Sequence, residues 1–104
     1  MTNEFEPFTL PKKPLCEAQI ERAVCEYAKS KGILVYKFSS PAHVSVPDRM
    51  FLRDGEVIFI EFKAPGNKAT ATQLREHDRL RNQEFEVHVI DGIENGKELI
   101  DEIF

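Results

Sequence analysis

The sequence lacks any apolar run of about 18 residues, the length that crosses a membrane. Its first 14 residues also lack the basic-then-apolar order that marks a secretion signal. These two absences predict a cytoplasmic protein without a membrane partner.

Cysteine is scarce as well, with only Cys16 and Cys25 in the chain. Both are expected in one helix, where nine residues at a rise of 1.5 Å place them about 13 Å apart, too far for a disulfide. The spacings of cysteine and histidine fit no zinc pattern. We therefore expect two small, buried or half-buried thiols rather than a disulfide scaffold or a zinc site.

The net charge of −4 is unevenly distributed along the chain. Residues 12–83 hold 13 Lys/Arg and 9 Asp/Glu, which gives +4, whereas residues 84–104 hold one lysine and seven acids, which gives −6. The remaining −2 comes from two glutamates in residues 1–11. A locally positive body can bind a polyanion despite the total charge. A solvated mixed surface explains the same composition, so charge alone does not decide between them.

A chain of 104 residues has room for one domain with one core. Residues 1–14 contain three prolines and no periodicity, and we interpret them as an N-terminal arm that packs on its own chain or forms a dimer contact. Residues 15–104 are then a single domain. Repeats and low-complexity segments are absent from the sequence.

Periodicity and turn signals predict the order α-β-β-β-α-β-α. The predicted helices cover 14–31, 70–82 and 96–104, and the predicted strands cover 33–38, 48–53, 56–63 and 85–90. This order indicates an α/β fold in which a mixed β-sheet is flanked by helices on both faces.

The strongest local signal is Asp54-Gly55, which favours a tight hairpin turn. In a symmetric hairpin on this centre, the numbers of paired residues sum to 109, so Asp48 lies opposite Glu61. Opposed residues share a face of the sheet with Cβ atoms about 4.5–5.5 Å apart, and Lys63 lies further along the same face.

Two opposed carboxylates repel each other and resist ionising together. A divalent cation between them removes this conflict, and oxygen ligands in an open site suit Mg²⁺ or Mn²⁺. Lys63 could hold a phosphate or orient a water molecule. The plainer alternative is a pair of solvated strand-end acids with a surface salt bridge.

The hairpin contains Pro47-Asp48, twelve intervening residues and then Glu61-Phe62-Lys63, which resembles the PD-(D/E)XK nuclease pattern. Over about residues 15–92, the order of elements is similar to that of the virus-type replication-repair nuclease (VRR-NUC) domain. The resemblance rests on four features: an acid early in the first helix (Glu17), a Val-Pro-Asp-Arg step (residues 46–49), the end of the third predicted strand with the turn after it (residues 59–66), and a glutamine at the start of the next helix (Gln73). Ser45 departs from the glycine that the family often has before the Val-Pro-Asp step.

The resemblance implies a restriction-endonuclease-like fold and a set of roles for the matched residues. Asp48 and Glu61 would bind Mg²⁺ or Mn²⁺ together with the backbone carbonyl of Phe62, without a small-molecule cofactor. Glu17 would reach the metal directly or through water, and Lys63 would position or deprotonate the attacking water. The reaction would be phosphodiester hydrolysis that leaves a 5′-phosphate and a 3′-hydroxyl.

Two of the matched residues also have plainer interpretations. Glu17 is equally well explained as an acid that interacts favourably with a helix N-terminus. Gln73 has the spacing of a capping box with Thr70, and it could serve both the cap and the catalytic site.

Basic side chains on the second predicted helix, in the loop before it and on the predicted hairpin are candidates for holding nucleic acid: Arg75 and Arg79, Lys68, and Arg49. Phosphate contacts from such a group would be independent of sequence and sensitive to salt, and a solvated helical face is the alternative. The three histidines are predicted to be non-catalytic, and only His43 is expected near enough to the hairpin to contact substrate.

The predicted function is a metal-dependent, structure-specific endodeoxyribonuclease acting on branched DNA in repair or recombination. Stand-alone members of the family resemble Holliday-junction resolvases, which favours a homodimer with two sites and a phage or bacterial-host origin. The alternatives are a monomeric flap or nicking nuclease, and a non-catalytic nucleic-acid-binding module.

Overall fold

The computed structural model describes residues 14–104, so all but the last residue of the predicted N-terminal arm lies outside the described residues. The elements are α1 (Glu17–Ser30), β1 (Leu34–Lys37), β2 (Arg49–Arg53), β3 (Glu56–Phe62), α2 (Ala71–Arg81), β4 (Glu86–Ile90) and α3 (Ile93–Ile103). Within this part of the chain, no helix combines the length and apolar character needed to span a bilayer.

The four strands form one mixed sheet in the order β1-β2-β3-β4. The β1–β2 and β2–β3 pairs are antiparallel, and β3 and β4 are parallel. A parallel pair needs a crossover connection, and α2 provides it between β3 and β4. The predicted fold class and element order are confirmed.

The hydrophobic core lies between the sheet and the helices α1 and α3. Four side chains from β2 and β3 are fully buried there: Phe51, Ile58, Ile60 and Phe62. Ile20 and Val24 from α1 and Ile100 from α3 complete the same cluster. Full burial of each such side chain contributes about 1.5–3 kcal/mol, so this face of the hairpin is strongly held.

The opposite face of the sheet is partly covered by α2, which packs beside β4. Residues alternate between the two faces of a strand, so Phe59 and Glu61 point away from the core of α1 and α3. The one buried residue of α2 is His77. Helices therefore flank the sheet on both faces, as predicted.

The predicted start of α1 at residue 14 is wrong, because the helix begins at Glu17 with Cys16 as its N-cap. The side chain of Gln19 accepts a 2.8 Å hydrogen bond from the backbone N–H of Cys16, which fixes the helix start there. The predicted stop at Gly32 is confirmed, since Gly32 has φ 82° and its N–H donates to the carbonyl of Lys29.

The predicted start of α3 at Gly96 is also wrong, because the helix begins at Ile93 after Gly92. Gly96 lies inside the helix, where it lets α3 approach α1 closely. A Cβ atom at this position would lie 2.5 Å from Cγ2 of Val24, closer than side chains can pack. The other element boundaries lie within one residue of their predicted positions.

Candidate active site

The hairpin turn has the conformation that its sequence favours. Asp54 and Gly55 have φ values of 52° and 83°, the two positive values of a type I′ turn. Arg53 pairs with Glu56, and at the other end Arg49 pairs with Ile60, so the register has the predicted sum of 109. Continuing this register by one residue places Asp48 opposite Glu61.

Asp48 is fixed to the neighbouring strand by a backbone contact. Its Oδ2 accepts a 2.7 Å hydrogen bond from the N–H of Phe62. The residue that faces Phe62 in this register is Pro47, which has no N–H to offer the carbonyl of Phe62. The N–H of Lys63 bonds to Ile90 on β4, so the carbonyl of Phe62 is turned towards β2 without a backbone donor opposite it.

Glu61 is 3% exposed and lies beneath α2. Its Oε2 accepts a 3.0 Å hydrogen bond from Nε2 of Gln73 and lies 3.6 Å from Nζ of Lys63. Its Oε1 lies 3.9 Å from Nε2 of His77 and has no hydrogen-bond partner among residues 14–104.

Gln73 takes part in the capping box of α2 and also contacts Glu61. Its N–H donates to Oγ1 of Thr70 over 3.1 Å, and its Oε1 accepts from the N–H of Thr70 over 2.9 Å. This capping box uses the carbonyl oxygen of the side chain and leaves Nε2 for Glu61. The helix start and the buried carboxylate are thus connected by one amide.

Simultaneous ionisation of Asp48 and Glu61 is unfavourable in this site. Burial raises the pKa of Glu61 to about 7, with further increases from the charges of Asp48 and Glu17 and an opposing effect from Lys63. Burial also raises the pKa of Asp48, against the hydrogen bond from Phe62. A cation is what would allow both carboxylates to be charged near neutral pH.

The donor set fits a hard divalent cation that keeps several of its water ligands. Asp48, Glu61 and the carbonyl of Phe62 supply oxygen atoms, and Oε1 of Glu61 is a buried acceptor that receives no hydrogen bond from residues 14–104. Residues 14–104 contain no group of three or more His, Cys, Asp or Glu side chains placed to hold a metal. Glu17 is exposed in the first turn of α1, and its charge contributes to the raised pKa of Glu61.

Known proteins with similar sequences or folds give the chain its family. It is 45% identical over 77 residues to "Putative nuclease p44" of Acyrthosiphon pisum secondary endosymbiont phage 1, covering 73% of this chain and 83% of that protein. A solved structure described as a VRR_NUC domain matches with a TM-score of 0.77 and 29% identity, covering 85% of this chain and 97% of the other. This chain belongs to the VRR-NUC nuclease family.

A second solved structure, a VRR_NUC domain protein, matches in fold with a TM-score of 0.74 and 21% identity, covering 88% of this chain and 89% of the other. No protein-family model matches the chain. The predicted resemblance is confirmed, and with it the assignment to nucleases. The VRR-NUC fold accounts for the order of helices and strands around the hairpin.

Ser45 replaces the glycine often found in VRR-NUC chains, and its backbone explains that preference. Its φ is 69°, in the left-handed region that costs residues with a Cβ atom about 1–2 kcal/mol. The loop before Val46 and Pro47 therefore has a conformation that glycine adopts without this cost.

The candidate nucleic-acid-binding residues of this VRR-NUC chain fall into three places. Arg75 and Arg79 line a cleft of about 330 Å³ together with His43. Lys68 lines a different cleft, next to the loop that follows β3. Nε of Arg49 is 2.6 Å from Glu21 on α1, so its guanidinium already has a carboxylate partner.

Two residues near the site were not predicted from the sequence. His77 is fully buried against Glu61, although it was expected to lie apart from the chemistry. Glu21 pairs with Arg49, and its charge contributes to the raised pKa of Asp48. His77 follows Gln73 by four residues and Glu21 follows Glu17 by four, so the i,i+4 spacing on each helix is the signal that could have found them.

Proposed function

We propose that this VRR-NUC chain is a Mg²⁺- or Mn²⁺-dependent, structure-specific endodeoxyribonuclease that cuts branched DNA in the manner of a Holliday-junction resolvase. The observation that supports the chemistry is the Asp48–Glu61 pair, two carboxylates at the end of a buried hairpin that lie near enough for the charge of Asp48 to raise the pKa of Glu61. Such an arrangement is unfavourable for folding, since burial raises the pKa of both carboxyl groups and the charge of Asp48 raises that of Glu61 further. Carboxyl groups with pKa values shifted in this way are typical of functional sites.

Asp48, Glu61 and the carbonyl of Phe62 would hold the cation, and Glu17 would contribute through a water molecule. The bound cation supplies acidity to water and neutralises charge on the phosphate. Lys63 is half-buried beside Glu61, where its ammonium can hold a phosphate oxygen or orient the attacking water. Gln73 would orient the Glu61 carboxylate through its hydrogen bond to Oε2.

The proposed step is in-line hydrolysis of one phosphodiester bond. Water attacks phosphorus and loses a proton, and the bond from phosphorus to the 3′ oxygen breaks. The leaving oxygen takes up a proton, so the products are a 5′-phosphate and a 3′-hydroxyl. We propose that the protein acts in DNA repair or recombination, in the cytosol of a phage-infected or bacterial host.

DNA contacts would come from the positive side of α2 and the loops around it. Arg75, Arg79 and His43 share one cleft, and Lys68 flanks the loop after β3. Arg49 would contact a phosphate only in addition to its ion pair with Glu21. These are point contacts to a backbone, so binding should depend on DNA shape and salt rather than on base sequence.

A homodimer is supported by an apolar area of the sheet. Leu34 and Tyr36 on β1 are 56% and 54% exposed, and they pair with Leu52 and Met50 on the sheet face that also bears Phe59. Among the described elements, α2 packs on β4 and leaves this half of the face without a helix. A two-fold dimer through this area would offer two sites to a four-way junction, which has matching symmetry.

The proposal is tested with labelled four-way junctions, flaps and linear duplex, each incubated with Mg²⁺, Mn²⁺ or EDTA. We expect paired symmetric cuts in junctions with either cation and none with EDTA. Cutting of flaps alone would replace the resolvase with a flap nuclease, and binding without cutting in every cation would replace it with a binding module. Light scattering during gel filtration measures the oligomeric state.

Three substitutions assign the site: Asp48→Asn, Glu61→Gln and Lys63→Ala. Each should abolish cutting while circular dichroism and junction binding remain. Cleavage that survives all three would show that the reaction takes place elsewhere on the protein.

A further inference from the structure

His77 is a fully buried histidine whose two ring nitrogens have no hydrogen-bond partner among residues 14–104. Its Nε2 lies 3.9 Å from Oε1 of Glu61, the carboxylate oxygen that is also buried and unpartnered in the same part of the chain. Two unsatisfied polar groups therefore face each other across slightly more than a hydrogen-bond distance.

The position of His77 on α2 connects it to Gln73. The two residues are four apart, so their side chains lie one turn apart on the same helical face. Nε2 of Gln73 already donates to Oε2 of Glu61 over 3.0 Å. The helix thus directs one nitrogen to each oxygen of a single carboxylate.

A purely structural role explains His77 poorly. A buried donor or acceptor without a partner costs about 1–3 kcal/mol, and a leucine would fill the space without that cost. His77 is also the one buried residue of α2, so packing alone would favour an apolar side chain there.

We propose that His77 is a positioning residue that donates a hydrogen bond from Nε2–H to Oε1 of Glu61, so that His77 and Gln73 together fix the carboxylate for metal binding. This inference rests on the proposed function. The donor needs to approach by less than 1 Å to reach ordinary hydrogen-bond length. Each carboxylate oxygen keeps a lone pair for the cation, because a carboxylate has about four acceptor sites.

The surroundings of His77 suit a neutral donor. Burial lowers its pKa, and the positive charges of Arg81 and Lys63 lower it further, against Asp78 and Glu76. A neutral imidazole orients Glu61 without adding a positive charge that would oppose a bound cation. Removal of a residue that hydrogen-bonds to a metal ligand typically lowers metal affinity or activity by about 10–100-fold.

Three variants at position 77 distinguish the effect of the hydrogen-bond donor from the effect of side-chain volume. His77→Leu fills the space without a donor, and His77→Gln places an amide nitrogen near the position of Nε2. His77→Asn places its amide nitrogen near the position of Nδ1. The asparagine side chain is too short for this nitrogen to reach Glu61. His88→Leu is the matched control, because His88 is partly exposed and pairs with Glu86 outside the site.

The first measurement is Mn²⁺ affinity of the DNA-free protein, obtained from the electron paramagnetic resonance signal of free Mn²⁺. We expect His77→Leu and His77→Asn to weaken binding about 10–100-fold, while His77→Gln and His88→Leu stay near the wild type. Urea unfolding in EDTA should show His77→Leu to be at least as stable as the wild type, because the substitution removes unpaired polar atoms.

A second measurement observes the proton itself. Nitrogen NMR of the imidazole should identify the neutral tautomer with hydrogen on Nε2 and a change in the Nε2 shift when Mg²⁺ is added. Wild-type Mn²⁺ affinity in His77→Leu, or equal losses in His77→Leu and His77→Gln, would overturn the positioning role. If the wild type cuts no DNA in Mg²⁺ or Mn²⁺, the proposed function fails instead, so the two failures are distinguishable.

Discussion

The N–H of Phe62 donates a hydrogen bond to the side chain of Asp48 across the β2–β3 junction. Asp48 thus replaces the backbone acceptor that an ordinary strand pair would provide at this point. Asp48, which is proposed to bind metal, is therefore also part of the hydrogen bonding of the sheet. Substitutions that remove its charge alone, or its charge and its acceptor oxygen together, should distinguish these two functions.

Asp48→Asn and Asp48→Ala should differ in stability although both abolish cutting. Asparagine keeps an oxygen that can accept from Phe62, whereas alanine leaves the N–H of the buried Phe62 unpaired at a cost of about 1–3 kcal/mol. Urea unfolding in EDTA is the measurement, and equal stabilities would show that the bond from Phe62 contributes little.

Glu61 predicts a pH dependence of stability in the metal-free protein. Its pKa is raised from 4.5 to about 7 in the folded state, so the folded protein binds the proton more tightly than the unfolded chain. Stability from this group is full below about pH 4.5 and is lost as the pH rises towards 7. Glu61→Gln cannot ionise and should therefore gain relative to the wild type over this range, by up to about 3 kcal/mol.

Unfolding curves in EDTA at several pH values between 4 and 8 measure this difference. Comparing the two proteins at each pH cancels the contributions of titratable groups that do not interact with Glu61. Added Mg²⁺ at pH 8 should stabilise the wild type and leave Glu61→Gln almost unchanged. A stability difference that does not change with pH would contradict the raised pKa.

The end of α2 predicts a stabilising substitution away from the site. The N–H of Phe85 donates to the carbonyl of Leu80 and that of Glu84 to Arg81, which is the same pattern that ends α1 at Gly32. Glu84 occupies the left-handed position with φ 68°, where a Cβ atom is unfavourable.

Glu84→Gly should therefore raise the free energy of unfolding by about 0.5–1 kcal/mol, since relief of the strained φ exceeds the added flexibility of the unfolded chain. Gly32→Ala is the matched reverse change and should lower stability by a similar amount. Thermal unfolding checks both, and a loss of stability in Glu84→Gly would contradict this interpretation of the helix end.

The sequence was informative where local chemistry determines geometry. Asp54-Gly55 set the turn, and the turn set the register that places Asp48 opposite Glu61. Spacing also identified both functions of Gln73 as a possibility, because a capping box fixes where the side chain begins.

The parts that sequence did not predict depend on how separate elements pack. Periodicity places His77 on a helical face, but the rotation of α2 over the sheet decides whether that face meets Glu61. The same limit applies to Gly96. Glycine has a low helix propensity, but in the folded chain its missing side chain lets α3 pack closely against Val24. The ion pair between Arg49 and Glu21 likewise exists only once α1 lies on the sheet.

The cleft beside α2 predicts a change in the salt dependence of DNA binding. The slope of log affinity against log salt concentration is negative. If Arg75 and Arg79 each contact one phosphate, the double variant Arg75→Ala/Arg79→Ala should make this slope less steep by about 1.8. Arg22→Ala/Lys29→Ala removes the same charge from α1, where both residues are exposed, and should leave most of the slope intact.

Junction binding in Ca²⁺, followed by fluorescence anisotropy at several salt concentrations, measures both slopes. The Arg75/Arg79 variant should also bind all junction sequences more weakly by a similar factor, because phosphate contacts do not read bases. Equal slopes for the two double variants would mean that net charge rather than the α2 cleft holds the DNA, and the predicted binding surface would then be wrong.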